Sequence, residues 1–511
     1  MPNSKRGDVL NSQEIIKILN KKLGTEINAD YYKYIYDWHD WWAGKNAWQE
    51  YKEKTADKGF LTRQRYSLNM AKKCCEDWAS YLVNEKTDVE IDDEQSDEYL
   101  LGERDSKNPA GLLNNMYFWE RANTAVEIAM YSGTAAMLLQ VDLLDVGKNG
   151  DVLRSQDATI RVECLPAMSI FPLSTQYGQI TEAAFASSFT KMGKKYLYLE
   201  IHTLENGTYV IENLFYEVVR HKIKQIETPE GVAAKINTGS PYPFFVIVSP
   251  NIVNHISGNM GLGCSIYAQA IDCIKGLDLA YNNFNRDLAL SGKKVFYNRE
   301  LLSRAGLDNI APDDVNQQLF VRLPGGVDDV EMIKEFNPEI RVEENIKAVQ
   351  AQLDYLSFKC GMGTRHYRFE AGSYGAKTIT ATQYTGEKQE LKQHAAKHSI
   401  VIQRALENIL RSMLWIAKNY LGKNVDPDTI IMVNLSDGYI ISDEERRAND
   451  LQELSADTMT KYEFRSRWQN ESEETAKKAL VDGAQFQKQL DDIIVDGGLF
   501  GEKSYGSGED E

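Results

Sequence analysis

The chain has 511 residues, 42% of them hydrophobic and 26% charged, with a formal net charge of −17. That composition excludes wholesale disorder, and no run approaches the ~18 consecutive apolar residues that a membrane-spanning helix needs. An acidic balance this strong also argues against a protein that grips nucleic acid tightly.

Several domains are expected from the length. The N-terminus, Met-Pro-Asn-Ser-Lys-Arg, lacks an apolar signal core, so the cytoplasm is the expected compartment. Six cysteines (74, 75, 164, 264, 273 and 360) are scattered without a Cys-x-x-Cys pair, which reads as small buried apolar groups in a reducing compartment.

In chain order, Gln13 to Leu23 reads as a short amphipathic helix and Tyr31 to Glu53 as an aromatic helix broken by Gly44. Arg63 to Val83 places Tyr66, Met70, Cys74, Trp78 and Leu82 on one helical face. Asp88 to Glu98 is an acidic connector, either a solvated loop or a short edge strand, and Asn115 to Ser132 is a further helix. The pattern then changes to strands: Ala136–Val141, Thr159–Leu165, Ile180–Phe189, Lys195–Thr203, Thr208–Val219 and Phe244–Val248. Asn206-Gly207 predicts a hairpin turn within an antiparallel sheet. From Gly263 the chain turns helical, with Tyr267, Ala270, Ile271, Ile274, Leu277, Tyr281, Phe284 and Leu288 at helical spacing up to Ser291-Gly292.

Lys293 to Pro338 reads as a small module, with strands at Lys294–Tyr297 and Gln318–Leu323, a short helix near Leu301 and a Pro324-Gly325-Gly326 turn. Val342, Ile346, Val349, Leu353 and Leu356 then mark a helix to Phe358. A loop rich in Gly, Arg and Ser follows, Gly361 to Lys377. Proline is absent from Thr378 to Gly422, which allows one helix of about 65 Å at 1.5 Å per residue. Its first half is polar, and its second half carries a stripe from Val401 and Ile402 to Tyr420 and Leu421. Such a helix, buried at one end only, suits a spar in a large assembly. Thr429–Leu435 and Gly438–Ile441 read as a strand pair. Ser442-Asp-Glu-Glu445 caps the first of three helical segments, around 443–456, 461–467 and 473–495. The Gly- and acid-rich tail from Gly497 is expected to be disordered.

A search for chemistry finds no catalytic centre. Gly258-Asn-Met-Gly-Leu-Gly263 precedes a helix but lacks the Lys-Ser/Thr of a phosphate loop, so it reads as a turn that starts the helix. His394 and His398 have the i, i+4 spacing of zinc ligands, but Ala-Ala-Lys lies between them and no third ligand is apparent; solvent-facing or interface histidines fit better. The adjacent pairs Asp313-Asp314 and Asp328-Asp329 read as solvated turn residues. No cofactor or metal is called for. Charge is unevenly spread: Gly422 to Glu511 holds ten Lys and Arg against twenty-one Asp and Glu, whereas Gly361–Lys377 carries Arg365, Arg368 and Lys377 against Glu370 alone.

The order of these parts resembles the portal proteins of tailed bacteriophages, in particular those of long-tailed phages of Gram-positive hosts. The resemblance covers most of the chain in architecture and rests on three stretches. Tyr36-Asp-Trp-His-Asp-Trp-Trp-Ala-Gly44 with Arg65-Tyr-Ser-Leu-Asn-Met-Ala-Lys-Lys73 is similar to the family's opening helices. Ser265 to Tyr281, continuing to Lys293-Lys-Val-Phe296, is similar to a first stem helix entering the clip. Lys377-Thr-Ile-Thr-Ala-Thr382 is similar to the start of the helix after the tunnel loop.

The resemblance implies an α+β, multidomain portal-type fold. Its parts would be a wing (1–262), stem helix 1 (263–292), a small α/β clip (293–341) and stem helix 2 (342–360). A tunnel loop (361–378), a long wing helix (379–421), return strands of the wing (422–442), a helical crown (443–495) and a disordered acidic tail (496–511) would follow. It implies a non-enzymatic ring of twelve subunits at one capsid vertex, in the virion and, during assembly, in the host cytoplasm, with no membrane. Its partners would be double-stranded DNA, the terminase large subunit, a head-completion or adaptor protein, and the scaffold and major capsid proteins. Arg365, Arg368, Ser373, Tyr374 and Lys377 would contact DNA from the tunnel loop, and Arg299, Arg304, Asp313, Asp314 and Arg322 would bind partners at the clip. The loop's basic character departs from the family: its cations either touch phosphates briefly or pair with Glu370 or a neighbour's acids. The competing classes are a minor head or connector protein without a channel, and a packaging enzyme, which the lack of a Walker A motif and of a carboxylate metal cluster disfavours.

Overall fold

The computed structural model describes residues 12–54, 59–102, 111–219, 222–292, 294–298, 319–322, 333–336, 339–364, 366–367, 381–435, 443–456, 458–469 and 471–496. They form a mixed helical and largely antiparallel fold of the α+β class, in two compact units: Met1–Gly102 with Ala110–Gly438, and Glu103–Pro109 with Tyr439–Glu511.

The first unit opens with α1 (Ser12–Leu23) and α2 (Tyr32–Trp42). The expected continuation of α2 to Glu53 does not occur. Gly44 adopts a φ of 64°, ending the helix as a residue without Cβ does most cheaply. The chain then forms the hairpin β1 (Glu50–Lys54) and β2 (Phe60–Gln64), so the next helix, α3 (Met70–Leu82), starts later than its apolar spacing suggested. The acidic connector splits into β3 (Asp88–Ile91) and α4 (Glu94–Leu101), whose N-cap Asp93 accepts a hydrogen bond from the Ser96 backbone N–H. α5 (Leu112–Asn115) leads into α6 (Phe118–Ser132), which packs between α3 and the sheet formed by β4 (Ala135–Asp142), β5 (Thr159–Pro166) and a later strand, β12 (Phe245–Val248).

A six-stranded antiparallel sheet contains β6 (Ile170–Gln176), β7 (Gln179–Lys191), β8 (Lys194–Glu205), β9 (Thr208–Val219), β10 (Lys222–Ile226) and β11 (Lys235–Asn237). The expected Asn206-Gly207 turn joins β8 to β9, with φ of 51° and 85° at its two residues, the left-handed pair that a two-residue hairpin requires. Three tyrosines fasten this core: Tyr31 donates to the Gly263 carbonyl at 2.6 Å, Tyr32 to the Ile170 carbonyl at 2.5 Å and Tyr267 to the Trp38 carbonyl at 2.7 Å.

The Gly258–Gly263 stretch does not start a helix, since α7 (Ile271–Leu290) begins eight residues later. Gly263 instead crosses Gly133 so closely that a Cβ on Gly133 would lie 2.4 Å from the Gly263 carbonyl oxygen, and one on Gly263 2.3 Å from that of Gly133. After α7 come three short strands, β13 (Lys294–Asn298), β14 (Leu319–Arg322) and β15 (Ile333–Phe336), with β13 parallel to β14 and antiparallel to β15. The helix expected near Leu301 lies outside the described residues. α8 (Val342–Lys359) returns along α7. The long helix is present as α9 (Ala381–Asn419), 39 residues and thus about 58 Å at 1.5 Å per residue. Burial begins earlier on it than its stripe suggested, at Leu391, Ala395 and His398. β16 (Ile431–Asn434) pairs antiparallel with the distant β3; Gly438–Ile441 lies outside the described residues.

The second unit holds α10 (Asp443–Ser455), α11 (Lys461–Gln469) and α12 (Glu473–Asp496). Thr460 and Glu463 form a capping box at α11: Glu463 accepts from the Thr460 backbone N–H at 2.8 Å and the Thr460 hydroxyl accepts from the Glu463 N–H at 3.4 Å. Asp450 is buried and accepts from Arg467 at 3.0 Å and from the Trp468 indole at 2.8 Å.

Candidate functional site

Two features follow from the sequence expectations: the α7–α8 pair leading to the three short strands, and the segment joining α8 to α9. The pair is tied where α7 ends and α8 begins. Arg341 donates to both Asp287 oxygens at 3.1 and 2.9 Å, and Asn345 to Oδ2 at 3.0 Å. The Asn345 amide and the Arg341 guanidinium hold the Asp287 carboxyl below its ordinary range. Further along, Val349, Leu353 and Leu356 of α8 and Ile274 and Leu277 of α7 are buried. The neighbouring residue Arg286 turns to the β1–β2 hairpin, donating to Tyr51 Oη at 2.7 Å and to Glu53 Oε1 at 3.1 Å.

The root of the α8–α9 segment is bolted to α3. Cys360 follows the last turn of α8, where helical carbonyls lack intrahelical partners. Its carbonyl accepts from the indole N–H of Trp78, a side chain with no exposed surface, at 3.1 Å. The Met362 N–H returns to the Ser357 carbonyl at 2.9 Å, and the Met362 side chain is buried. Gln350 of α8 donates to the Tyr367 carbonyl at 2.7 Å. The Tyr367 hydroxyl donates to Asp77 Oδ2 at 2.9 Å, with Met362 Sδ at 3.1 Å and Cys74 Sγ at 3.5 Å around it. Burial pushes the Tyr367 phenol far up, and the nearby Cys74 and Asp77 push it further, so it stays a neutral donor. Gly361, at a φ of 75°, lies where a Cβ would meet His394 Cγ at 3.2 Å.

The two histidines of α9 serve this root. His398 meets Trp78 edge-on at 5.0 Å between centroids, and its Nδ1 accepts from the Asn251 N–H at 3.0 Å. Burial lowers its pKa to about 4, so the ring is neutral at pH 7. The expectation of a solvent-facing or interface residue therefore fails for His398, which is 3% exposed. Among the described residues no group of three or more His, Cys, Asp or Glu is placed to hold a metal ion, and no helix is long and apolar enough to cross a membrane. The cysteines at 74, 75, 164, 264, 273 and 360 are free thiols.

Of the residues expected to touch partners, Arg322 closes β14 opposite Asn298 of β13. Arg299, Arg304, Asp313 and Asp314, and the loop residues Arg365, Arg368, Ser373, Tyr374 and Lys377, lie outside the described residues. The anchoring residues Asp77, Gln350 and Tyr367 were not singled out by sequence reasoning. Nothing in the sequence set Tyr367 apart from Phe369 and Tyr374 of the same segment.

The family model described as phage portal protein, SPP1 Gp6-like, matches residues 24–489. The chain belongs to that portal protein family. The match runs from the end of α1 into α12 and so takes in the helix pair, the three-stranded module and the long helix of this portal protein. No curated protein matches the chain.

Proposed function

We propose that the chain forms the ring at one capsid vertex through which double-stranded DNA is packaged and later ejected. The observation that carries this reading is the family match over residues 24–489. In this reading α7 and α8 are the stem, the module of β13–β15 is the clip that docks the terminase large subunit and later the head-completion protein, and α9 is the spar of the wing. Residues 361–378, rooted by the Trp78–Cys360–Tyr367 anchor, are the tunnel loop, presenting Arg365, Arg368, Ser373, Tyr374 and Lys377 to DNA, while Arg299, Arg304, Asp313, Asp314 and Arg322 serve the clip. The helices from Asp443 onward form the crown. The protein is structural, is carried in the virion, and meets scaffold and major capsid protein in the host cytoplasm as heads assemble.

Physical chemistry supports the division of labour. A conduit must not hold its cargo, because each phosphate neutralised by the protein adds affinity. A chain of net charge −17 keeps that friction low, and a few loop cations give transient grip. A loop that must press on moving DNA also needs a fixed root, and the indole, phenol and amide bonds at Trp78, Tyr367 and Gln350 supply one.

Native mass spectrometry with negative-stain imaging tests the proposal, on the full chain expressed alone and together with the head proteins of the same phage. Closed rings with a central hole, twelve subunits around, are expected in at least one sample. A chain that stays monomeric in both refutes the ring.

A further inference from the structure

The apolar stripe of α8 is covered by its own chain only from Val349 onward. Val342 and Ile346, on the same face two turns and one turn earlier, are 40% and 36% exposed, and Ile340 just before the helix is 42% exposed. The facing end of α7 is bare as well, with Leu288 and Leu290 exposed. Alongside stands the β1–β2 hairpin, whose second strand is exposed at every position and carries Phe60 at 70% and Leu61 at 46%. Two strands alone are marginal in water, and large apolar side chains uncovered together mark an interaction surface.

Charge is sorted across the same level of the molecule. Between the hairpin and α7 lies a cleft of about 520 Å³, lined by Arg63, Arg65, Arg286, Tyr66, Asn282 and Asn285 among others. Glu53 pairs with both Arg63 and Arg286, while Arg65 stacks over Trp48 and Tyr51 and donates to the Trp48 carbonyl. Among the described residues, Asp278, buried beside Ser67 and Arg65, is a further acid nearby, and burial raises its pKa. Three guanidiniums therefore share few carboxylates, in a chain of net charge −17. The start of α8 has the opposite character: Glu339, Glu343 and Glu344 are exposed, Arg341 is engaged by Asp287, and Lys347 lies 3.7 Å from Glu343.

We propose that the arginine-lined cleft between the β1–β2 hairpin and α7 receives the first two turns of α8 from a second copy of this chain. Glu343 and Glu344 of the incoming helix meet the guanidiniums, and Val342 and Ile346 cover Leu61 and Tyr66. The contact is heterologous, and repeating it by a pure rotation that divides the circle evenly closes a ring. Rotation about an axis along the helix pair leaves height unchanged, so the two complementary patches must sit at one level. They do, since the adjacent residues Arg286 and Asp287 bind the hairpin and the start of α8 respectively. The inference rests on the ring reading and adds to it the residues that join one copy to the next.

A charge exchange tests it. Arg63→Glu in one full-length chain and Glu343→Arg with Glu344→Arg in another are each assayed alone and mixed, by native mass spectrometry beside wild type, with far-UV circular dichroism to confirm folding. Each variant alone is expected to lose ring population at least tenfold, and an equimolar mixture to recover rings, because alternating chains restore every contact. Variants that form rings as wild type does overturn the pairing while leaving the ring reading intact. Folded variants whose mixture fails to recover also overturn it. An Arg63→Glu chain that rings normally but loses salt-sensitive binding to a double-stranded DNA fragment assigns the cleft to phosphates instead. All samples are run under the condition, alone or with the head proteins of the same phage, in which wild type forms rings; wild type without rings under both removes the reading beneath the inference.

Discussion

Replacing Trp78 by Phe isolates the bolt that holds the start of the α8–α9 segment. The smaller ring cannot donate, so the Cys360 carbonyl, buried at the end of α8, loses the partner it has at 3.1 Å. A buried acceptor left without a partner costs about 1–3 kcal/mol. The void left by the lost ring adds about 1 kcal/mol, as for other modest core truncations. The two together amount to about 2–4 kcal/mol, felt first where the protein is held by few other bonds. Hydrogen-exchange mass spectrometry of peptides covering 356–367 reads this locally, and urea unfolding followed by far-UV circular dichroism reads it globally. Protection at 360–367 should fall by about 30-fold or more, since each 1.4 kcal/mol is a factor of ten, with little change in the six-stranded sheet. A folded Trp78→Phe protein with unchanged protection at 360–367 would show that the indole bond anchors nothing.

His398 predicts a pH effect with a definite sign. Its pKa falls from 6.5 unfolded to about 4 folded, so the unfolded chain binds the proton first and stability drops as pH falls from about 6.5 to 4. The loss attributable to this ring is about 3 kcal/mol, and His398→Asn, which keeps an acceptor for the Asn251 N–H, should show a correspondingly flatter urea-midpoint profile over that window. Glu200 is fully buried; burial pushes its carboxyl up, but hydrogen bonds from His202, Gln140 and Tyr198 outweigh that and leave it below its ordinary value. Its contribution is therefore present above the unfolded carboxylate pKa and lost as pH falls through the folded one. Glu200→Gln should cost about 1–3 kcal/mol at pH 7 and less in acid, and equal destabilisation at both pH values would refute the charged form. Deleting Gly372 to Gly375 should leave rings intact while reducing packaged or retained DNA, and normal packaging by that deletion would sink the tunnel-loop assignment.

Local physics made much of this protein legible. Strand-forming runs at Ile180–Phe189, Lys195–Thr203 and Thr208–Val219, with the Asn206-Gly207 turn, specify a hairpin through backbone preference alone, and the helical spacing of Ile274, Leu277, Val349 and Leu353 marks faces that must be buried. The proline-free run allowed a helix of the length that α9 has, because helix continuation is a local property. Boundaries decided by long-range contacts were missed. The residues after Gly44 became a hairpin rather than a helix, as Arg286 of α7 holds Tyr51 and Glu53 from more than 230 positions away. The acidic connector was open between a loop and a short edge strand; the strand at 88–91 is present, paired with Ile431–Asn434, and the helix Glu94–Leu101 after it was not foreseen.

The site divides in the same way. The amino-acid order alone determined that a Gly-, Arg- and Ser-rich segment joins two helices, since its small residues and its cations are visible without coordinates. It could not reveal that Trp78 on α3 receives the carbonyl of Cys360, or that His398 is neutral and buried rather than solvent-facing or at an interface. Both depend on which distant surfaces exclude water together, and no local pattern encodes that. Nor could periodicity separate the part of the α8 stripe that this chain covers from the part it leaves bare. Hydrophobic spacing records that a face is to be buried, and only the packed structure decides against what.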